Sequence, residues 1–370
     1  MAMYIGMDVH SKNSIYCVQG ETGQVLGRGT IETTEQGLTG MLRELKVPSG
    51  TKIGFESGGM AVFVARILYR QRMDPVVINA AEVRAKARRP NQKTDPRDAF
   101  DICDGLRRGI YVSIVHIPPE ENQVLREVLS ERRHFVRAMT REMSSVKYLL
   151  RAKGLRSIYR SLGTKEAWEK LMSHEEVSLA LRKHMGRHYA AWEMARLEVE
   201  DLDEELKVLS QPFEEEIARL DEIPGVGRIT ALTVIAFIST ASRFPTVKHA
   251  ASYAGLIPSS HDSGDREMHG RITKRGPGEL RAMLVEAAQQ ARRPTHPLHP
   301  YCSGLTAKRN KHVATVAVAN RLLRIMVAML KNGSEFDVKK LNVEARIQKV
   351  TRTKYWHRKA PSQAAAEARA

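Results

Sequence analysis

The chain has 370 residues, enough for more than one domain, and carries 59 Lys and Arg against 42 Asp and Glu, a formal net charge of +17. Apolar residues make up 42% and charged residues 27%, which argues against wholesale disorder. We expect no membrane association, because no apolar run reaches the roughly 18 residues of a membrane helix. The three cysteines form no C-x-x-C pair and the N-terminus has no basic leader. These features favour the reducing cytoplasm and no disulfide framework.

The positive charge is concentrated in the last third of the chain. Residues 266–370 contain 22 Lys and Arg but only 7 Asp and Glu. Such a regional excess favours a polyanionic partner, because Lys and Arg release counterions from a phosphate backbone. A solvated basic surface is the simpler alternative, and a membrane surface is the weaker one.

Residues 1–118 have the pattern of an α/β domain built on a mixed sheet, with strands and helices in the order three strands, helix, strand, helix, strand, helix. The predicted strands are 4–9, 14–20, 25–31, 52–56 and 75–79, and the predicted helices are 33–45, 60–72 and 98–108.

The remainder of the chain is predicted to be helical. In 119–220, two long helices (119–150 and 188–220) carry apolar residues every three or four positions, which indicates an antiparallel coiled-coil arm or a dimer contact. The segment between them gives no clear prediction. Residues 221–345 form a further, mainly helical domain, and the basic, Ala-rich tail 346–370 is predicted to be disordered. The predicted helices of the third domain are 228–239, 243–255, 279–292 and 313–332.

Four acidic residues stand where they could hold metal ions. Asp8 and Glu56 each end a predicted strand, and Asp95 and Asp98 lie three residues apart at a helix start. Acids at the ends of neighbouring strands meet at one edge of a sheet, and their oxygens suit Mg²⁺. Two such ions can clamp a phosphate and activate a hydroxyl. Taken singly, an acid at a strand end is more often a turn former or a helix cap than a metal ligand.

A Pro-Gly-x-Gly turn precedes the helix predicted from Arg228. Its Gly225 and Gly227 would let backbone N–H groups approach a phosphate, with Arg228 and a helix N-terminus beside them. This pattern is typical of a helix-hairpin-helix element that grips the DNA backbone. A tight turn between packed helices is the alternative.

Residues 258–266 are predicted to form a polar loop that contains Ser263. A serine followed by glycine could act as a nucleophile, and nearby cations could bind the phosphate it attacks. These cations are Arg266, Arg271, Lys274 and Arg275. Most loops of this composition have no catalytic role, so this signal is weak by itself.

Together, the motifs follow one known order. An I-G-x-D strand, a strand ending in Glu56 and the Lys-Thr-Asp-x-x-Asp box of 93–98 precede a long helical insert. The Ile-Pro-Gly-Val-Gly box of 223–227 and the Asp-Ser-Gly triplet of 262–264 follow it. Over roughly residues 4–335, this resembles the DEDD transposases of the insertion-sequence one-ten family, which act as bridge-RNA-guided DNA recombinases.

The resemblance implies a RuvC-like N-terminal domain with an RNase H fold, whose tetrad maps onto Asp8, Glu56, Asp95 and Asp98 and holds Mg²⁺, two ions per site. It implies a C-terminal transposase domain whose nucleophile maps onto Ser263. It further implies target and donor DNA and a structured noncoding guide RNA as partners, so that base pairing selects the sequence. The expected assembly is a dimer of dimers in a bacterial or archaeal cytoplasm, associated with the nucleoid.

Three rival functions use parts of the same pattern. A RuvC-like endonuclease needs the acids but not the serine, and releases hydrolysed ends. An ATPase of the sugar-kinase and actin type shares the opening strand, but needs a second Asp-x-Gly loop that the sequence does not offer in a suitable place. A non-enzymatic nucleic-acid binder explains the basic C-terminal third and leaves the acids without a role.

Overall fold

A computed structural model describes residues 2–86, 95–159, 161–263 and 266–341, with the backbone alone for 260–263 and 266–269. The chain divides into two compact units, which we call the N-terminal unit (Met1–Ile117) and the C-terminal unit (Pro118–Ala370). The predicted division of the chain into four parts at 118, 220 and 345 is finer than this and stays a prediction. The tail predicted to be disordered lies outside the described residues.

The N-terminal unit is a five-stranded mixed sheet with helices packed on it, which confirms the predicted α/β class. The strand order is β3-β2-β1-β4-β5; β1, β2 and β3 pair antiparallel, whereas β4 is parallel to both β1 and β5. The strands are β1 (Met3–Val9), β2 (Asn13–Gly20), β3 (Val25–Glu32), β4 (Lys52–Glu56) and β5 (Asp74–Ile78). The helices are α1 (Glu35–Glu44), α2 (Ala61–Arg70), α3 (Ala80–Lys86) and α4 (Asp95–Arg107).

The core of this unit follows from the strand period of two. Ile5, Met7, Ile53 and Phe55 are fully buried and pack with the apolar faces of α1 and α2 on one side of the sheet. Residues 6 and 54, between them in the sequence, are glycines. The other side of β1 and β4 therefore offers a surface without side chains, and α4 packs there.

The C-terminal unit begins with an arm of two long antiparallel helices. The arm consists of α5 (Glu120–Ala152) and α7 (Leu179–Leu209), joined through the short α6 (Lys165–Met172). Arg132 bonds to Asp203 near one end of the pair, and Glu142 bonds to His188 further along, which fixes the antiparallel direction. The core of the arm's far end is aromatic, because the Trp168 and Trp192 rings pack 5.6 Å apart.

The prediction of one helix over 188–220 is wrong at both ends. The helix α7 starts at Leu179, after Ser178 caps the N–H of Leu181, and it ends at Leu209. A 3₁₀ turn over Gln211–Phe213 follows, and Pro212 within it has no N–H to continue the α-helical bonding. The heptad spacing continues across this break because α8 (Glu214–Asp221) buries Ile217 and Leu220 in the same core as Leu202 and Leu206 of α7.

The rest of the unit is helical apart from one hairpin. The helices are α9 (Arg228–Ile238), α10 (Val247–Tyr253), α11 (Gly278–Gln289), α12 (His299–Lys308) and α13 (Lys311–Asn332), and the hairpin strands are β6 (Pro258–Ser263) and β7 (Arg266–Ile272). Their core also includes Leu125, Val128 and Leu129 at the base of α5.

Helix α13 corrects the expectation that no segment is long and apolar enough to span a membrane. Its 22 residues are long and apolar enough to span a membrane by length and composition alone, and half of its most apolar 18-residue stretch is buried inside the protein. Val318, Leu322 and Met326 are fully buried in the core that α13 shares with α9 and α11. This placement is that of a central helix in a packed domain.

Candidate active site

Two neighbouring strands carry the same local pattern and present an acid at the same level. Ile5-Gly6-Met7-Asp8 lies in β1 and Ile53-Gly54-Phe55-Glu56 in β4. The strands run parallel, with Gly6 opposite Gly54 and Met7 opposite Phe55. Asp8 and Glu56 are the next residue of each strand, so the sheet register sets the two acids side by side.

The two glycines allow α4 to lie directly on this face of the sheet. A Cβ atom built on Gly6 would come within 2.3 Å of both the Ala99 carbonyl oxygen and the Cys103 nitrogen. A Cβ on Gly54 would be 3.1 Å from a methyl carbon of Leu106. Because side chains alternate along a strand, Asp8 and Glu56 share the face that α4 covers.

Helix α4 brings the second pair of acids to the same place. Asp95 and Asp98 lie in its first turn, where the helix dipole favours negative charge. Burial raises the pKa of Asp8, and the negative charges of Asp98 and Asp95 raise it further, while His10 opposes them. Three predicted acids thus act on one another electrostatically.

His10 is a member of this group that the sequence pattern did not predict. Its Nε2 atom is 3.2 Å from Asp8 Oδ2 and 3.7 Å from Asp95 Oδ2. The carboxylate and imidazole atoms of these three residues lie within 4.8 Å of one another, close enough to hold a metal ion. The signal in the sequence was the Asp-x-His spacing at the end of β1.

The donor set fits a divalent cation. Mutually repelling carboxylates at a sheet edge are stabilised by a cation, and their oxygens suit hard ions, whereas an imidazole nitrogen suits transition metals. Glu56 lies outside the three-residue group: its Oε1 atom is 3.7 Å from the Arg84 guanidinium. The structure therefore gathers Asp8, His10 and Asp95, with Asp98 in the same helical turn as Asp95. Glu56 lies on the adjacent strand, beside the Arg84 guanidinium.

In the C-terminal unit, the Pro-Gly turn joins α8 to α9 as predicted. Gly225 has a φ of +82°, and a Cβ on it would lie 2.7 Å from the Cβ of Gln290, so glycine is required there by the fold. Gly227 precedes α9 with ordinary backbone angles and open space around it. The Arg228 guanidinium binds the Glu214 carboxylate and the Ser210 hydroxyl.

The segment predicted as a loop over 258–266 is instead a hairpin. Strand β6 ends at Ser263, whose backbone pairs with Arg266 at the start of β7. Its serines suggested a loop, but only Gly264 and Asp265 stand between the strands, and such pairs are typical of two-residue hairpin connections. The side chains of Ser263 and Arg266 lie outside the description.

The other predicted cations follow the hairpin. Arg271, Lys274 and Arg275 are exposed, and Lys274 adopts a positive φ of 53°. Gly276, with a φ of +77°, then leads the chain into α11. Glycine is required there because a Cβ would lie 1.9 Å from the Tyr253 carbonyl oxygen. These residues form an exposed basic segment between the hairpin and α11.

Two protein-family models match separate parts of the chain. Residues 5–153 match the model of the DEDD transposases of the IS110 type, described as a transposase, and residues 217–302 match the model described as the transposase IS116/IS110/IS902 family. The first match contains all four acids, and the second contains the Pro-Gly turn and the hairpin.

Individual relatives agree with these matches. The chain is 28% identical to the transposase for insertion sequence element IS1111A of Coxiella burnetii, over 65% of this chain and 67% of that protein. It is 29% identical to a probable family 20 transposase of Pseudomonas aeruginosa, over 65% and 74%. A pilin gene-inverting protein of Moraxella lacunata shares 31% identity over 32% and 38%. The chain is therefore a member of the IS110-type transposases of insertion sequences.

Proposed function

We propose that the protein cuts and rejoins DNA strands through a divalent-metal site in the N-terminal unit and a serine nucleophile in the C-terminal unit. The observation that carries the first half is the convergence of Asp8, His10 and Asp95 at the face where α4 lies on the glycines of β1 and β4. The second half rests on the family match across the hairpin whose first strand ends at Ser263.

Asp8, Asp95 and Asp98, with Glu56 on the next strand, would hold Mg²⁺, two ions per site. Bound Mg²⁺ would neutralise charge on the phosphate that is cut. His10 contacts Asp8 and Asp95, so it would balance their charge or hold a proton close to the phosphate.

In the proposed reaction, the Ser263 hydroxyl attacks phosphorus. An O–P bond forms to Oγ as the bond to the 3′ or 5′ oxygen of DNA breaks, the serine proton is lost, and the leaving oxygen gains a proton. Attack by another strand's hydroxyl on the serine ester restores Ser263 and joins the strands. Arg266, Arg271, Lys274 and Arg275 would stabilise the charge that develops on the phosphate.

A structured guide RNA completes the proposal, together with a dimer of dimers on target and donor DNA in the cytoplasm. The net charge of +17 and its concentration in residues 266–370 support two polyanionic partners. RNA that copurifies with the protein should map to noncoding DNA beside the gene. Recovery of only random cellular RNA would remove the guide from the proposal.

The test of the chemistry is a covalent adduct. The full-length protein, Mg²⁺ and end-labelled element DNA should give a protein–DNA band that survives denaturation, and Ser263→Ala should abolish that band while nucleic-acid binding remains. Adduct formation by Ser263→Ala would refute the nucleophile.

A RuvC-like endonuclease is the second candidate, because the acidic group lies wholly within the N-terminal unit. It predicts free hydrolysed ends, no adduct, and full cutting by Ser263→Ala.

A further inference from the structure

The C-terminal unit has a cleft of about 420 Å³ that the proposed chemistry does not use. Its walls come from the arm helix α5, the end of α9 and the start of α11. The lining residues are Arg133, Arg137, Phe237, Pro277, Gly278 and Glu279.

Two arginines on one face of α5 supply the charge of the cleft. Arg133 and Arg137 are four residues apart and so lie one turn above the other. Neither guanidinium has a hydrogen bond or an ion pair with the described residues. Other arginines of α5 are engaged: Arg126 binds the carbonyl oxygens that end α9, and Arg132 binds Asp203 at 2.6 Å.

The pair is held together against its own repulsion. Burial lowers the pKa of Arg133, and the charge of Arg137 lowers it further. Glu279 supplies the opposing charge, but among the described residues no ion pair joins it to either arginine. Burial raises the pKa of the Glu279 carboxyl, while Arg133 and Arg137 oppose that effect. The cleft thus holds two cations facing one acid, with space between them.

The wall opposite the arginines is firmly positioned. The Arg281 guanidinium binds the carbonyl oxygens of Ala254 at 2.9 Å and Arg275 at 3.1 Å, which fixes the segment leading into α11. Gly276 is confined there by the Tyr253 carbonyl oxygen. The cleft therefore exists before any ligand binds, and the exposed Lys274 and Arg275 immediately precede its wall in the chain.

We propose that this cleft binds a phosphodiester of a nucleic-acid backbone through Arg133 and Arg137. Guanidinium groups match phosphate oxygens in forked, two-bond geometry, and two stacked groups suit one phosphate or two consecutive ones. This proposal rests on the proposed function, in that it assumes a nucleic-acid partner. It assigns to the base of the arm a backbone contact separate from the Pro-Gly turn and the hairpin.

Binding of the full-length protein to a mixed-sequence 25-base-pair DNA duplex and to a 25-nucleotide single-stranded RNA tests the cleft directly. Affinity is measured by fluorescence anisotropy over a series of salt concentrations. For Arg133→Ala/Arg137→Ala, we expect affinity to fall about tenfold or more and the salt slope to decrease by about 0.9 per lost contact on the duplex or about 0.7 on the single strand.

Arg141→Ala is the matched control, since Arg141 lies one turn further along α5, is 72% exposed and pairs with Glu142. It should leave both slopes near the wild-type values. Circular dichroism and thermal melting verify that each variant is folded. A changed slope on either probe supports the cleft and identifies the strand it holds; unchanged slopes on both overturn the proposal.

Glu279→Gln gives a second test with the opposite sign. Removing a negative charge that faces the arginines should tighten binding of the same probe about two- to fivefold. A structural role alone would instead weaken binding or leave it unchanged, and either result counts against the cleft. These binding measurements do not depend on DNA cleavage. If the wild-type protein forms no serine adduct but the arginine variants still bind nucleic acid more weakly, the proposed chemistry is refuted and the phosphate-binding cleft is not. Displacement of the probe by polyglutamate at equal charge concentration would overturn the assignment to phosphate.

Discussion

The two units contain clusters of opposite charge. In the N-terminal unit, the carboxylates of Asp8 and Asp95 lie around the His10 imidazole, and Asp8 is the more buried of the two acids. In the C-terminal unit, Arg133 and Arg137 share a cleft with Glu279, and within the part of the chain that the structure describes no ion pair joins that acid to either arginine. Each group brings like charges close together, so each is suited to a ligand of opposite sign. One calls for a metal cation and the other for a phosphate.

They also differ in how they are built. The acids are placed by the register of two strands and by the close approach of one helix, whereas the arginines are placed by the helical repeat of α5. A sheet register is a long-range property that tolerates little change. A helix face is local and tolerates substitution at single positions. Variants of the first site should therefore have larger effects than variants of the second.

The largest expected effect is that of Asp8→Asn. This change removes a mostly buried carboxylate charge of the group while keeping its size, so strand cleavage and adduct formation should fall by on the order of 10²–10³-fold. Binding to DNA should persist, because no basic residue changes. Gel analysis of labelled DNA cleavage measures the loss, and Glu32→Gln, at an exposed acid of the same sheet, should retain activity. Equal activity in the two variants would exclude Asp8 from the site.

Gly6→Ala should act on the same site through packing. The new methyl group would overlap backbone atoms of α4, and overpacking at such a position costs about 3 kcal/mol. The displaced helix would also carry Asp95 and Asp98 away from Asp8, so divalent ions should protect the variant less against thermal unfolding.

Gly58→Ala is the control for that change, since no atom lies within 4 Å of the added methyl. Its free energy of unfolding should change by no more than about 0.5 kcal/mol. If Gly6→Ala melts like Gly58→Ala, then α4 does not rest on β1 as described.

Of the two glycines in the Pro-Gly turn, we expect Gly225 to be needed for folding and Gly227 for DNA binding. Gly225→Ala should destabilise the C-terminal unit by about 1–2 kcal/mol, because its positive φ disfavours any side chain. Gly227→Ala should fold normally and weaken DNA binding several-fold, since its methyl would obstruct a backbone phosphate approaching the N–H groups. If Gly227→Ala binds DNA like the wild type, the turn is only a connection between helices.

The site in the N-terminal unit was readable from the sequence to the extent that it depends on local pattern. Two predicted strands each ended in an acid, which predicted that Asp8 and Glu56 would meet at one edge of the sheet. The three-residue spacing predicted that Asp95 and Asp98 would face the same side of a helix start. His10 was not predicted, because a histidine two residues beyond a strand acid has no fixed direction until the chain turns. The Arg84 contact to Glu56 depends likewise on where α3 lies.

In the C-terminal unit, period and composition were less informative. The heptad pattern of 188–220 continued through a break at Pro212, because α8 buries its apolar residues in the same core as the end of α7. The polar hairpin was predicted as a loop, since β6 has no β-branched residue and β7 has only Ile272 at its end. Arg133 and Arg137 stood among many exposed arginines, and only the fold distinguishes them from Arg126 and Arg132.

The smallest effect concerns an acid whose charge the protein does satisfy. Glu142 in α5 is hydrogen-bonded to His188 at 2.8 Å and to Arg141 at 3.1 Å. The hydrogen bond from His188 is the main cause that lowers the pKa of this carboxyl, and burial opposes it. In this respect Glu142 is the reverse of Asp8, whose pKa is raised.

The sign of the pH dependence follows from that contrast. A carboxyl with a folded-state pKa below its unfolded value of about 4.3 stabilises the fold above that pH, and the stabilisation is lost as pH falls through the folded-state pKa. Glu142→Gln should therefore cost about 1 kcal/mol at pH 7, and the difference from the wild type should shrink below about pH 4. Thermal melting from pH 3 to 8 measures this, with Glu198→Gln, at an exposed acid of α7, as the control. A difference that stays constant with pH would mean that Glu142 stabilises the arm by packing alone. The arm would then differ from the acidic group and from the arginine cleft, because its stability would not depend on the ionisation of this residue.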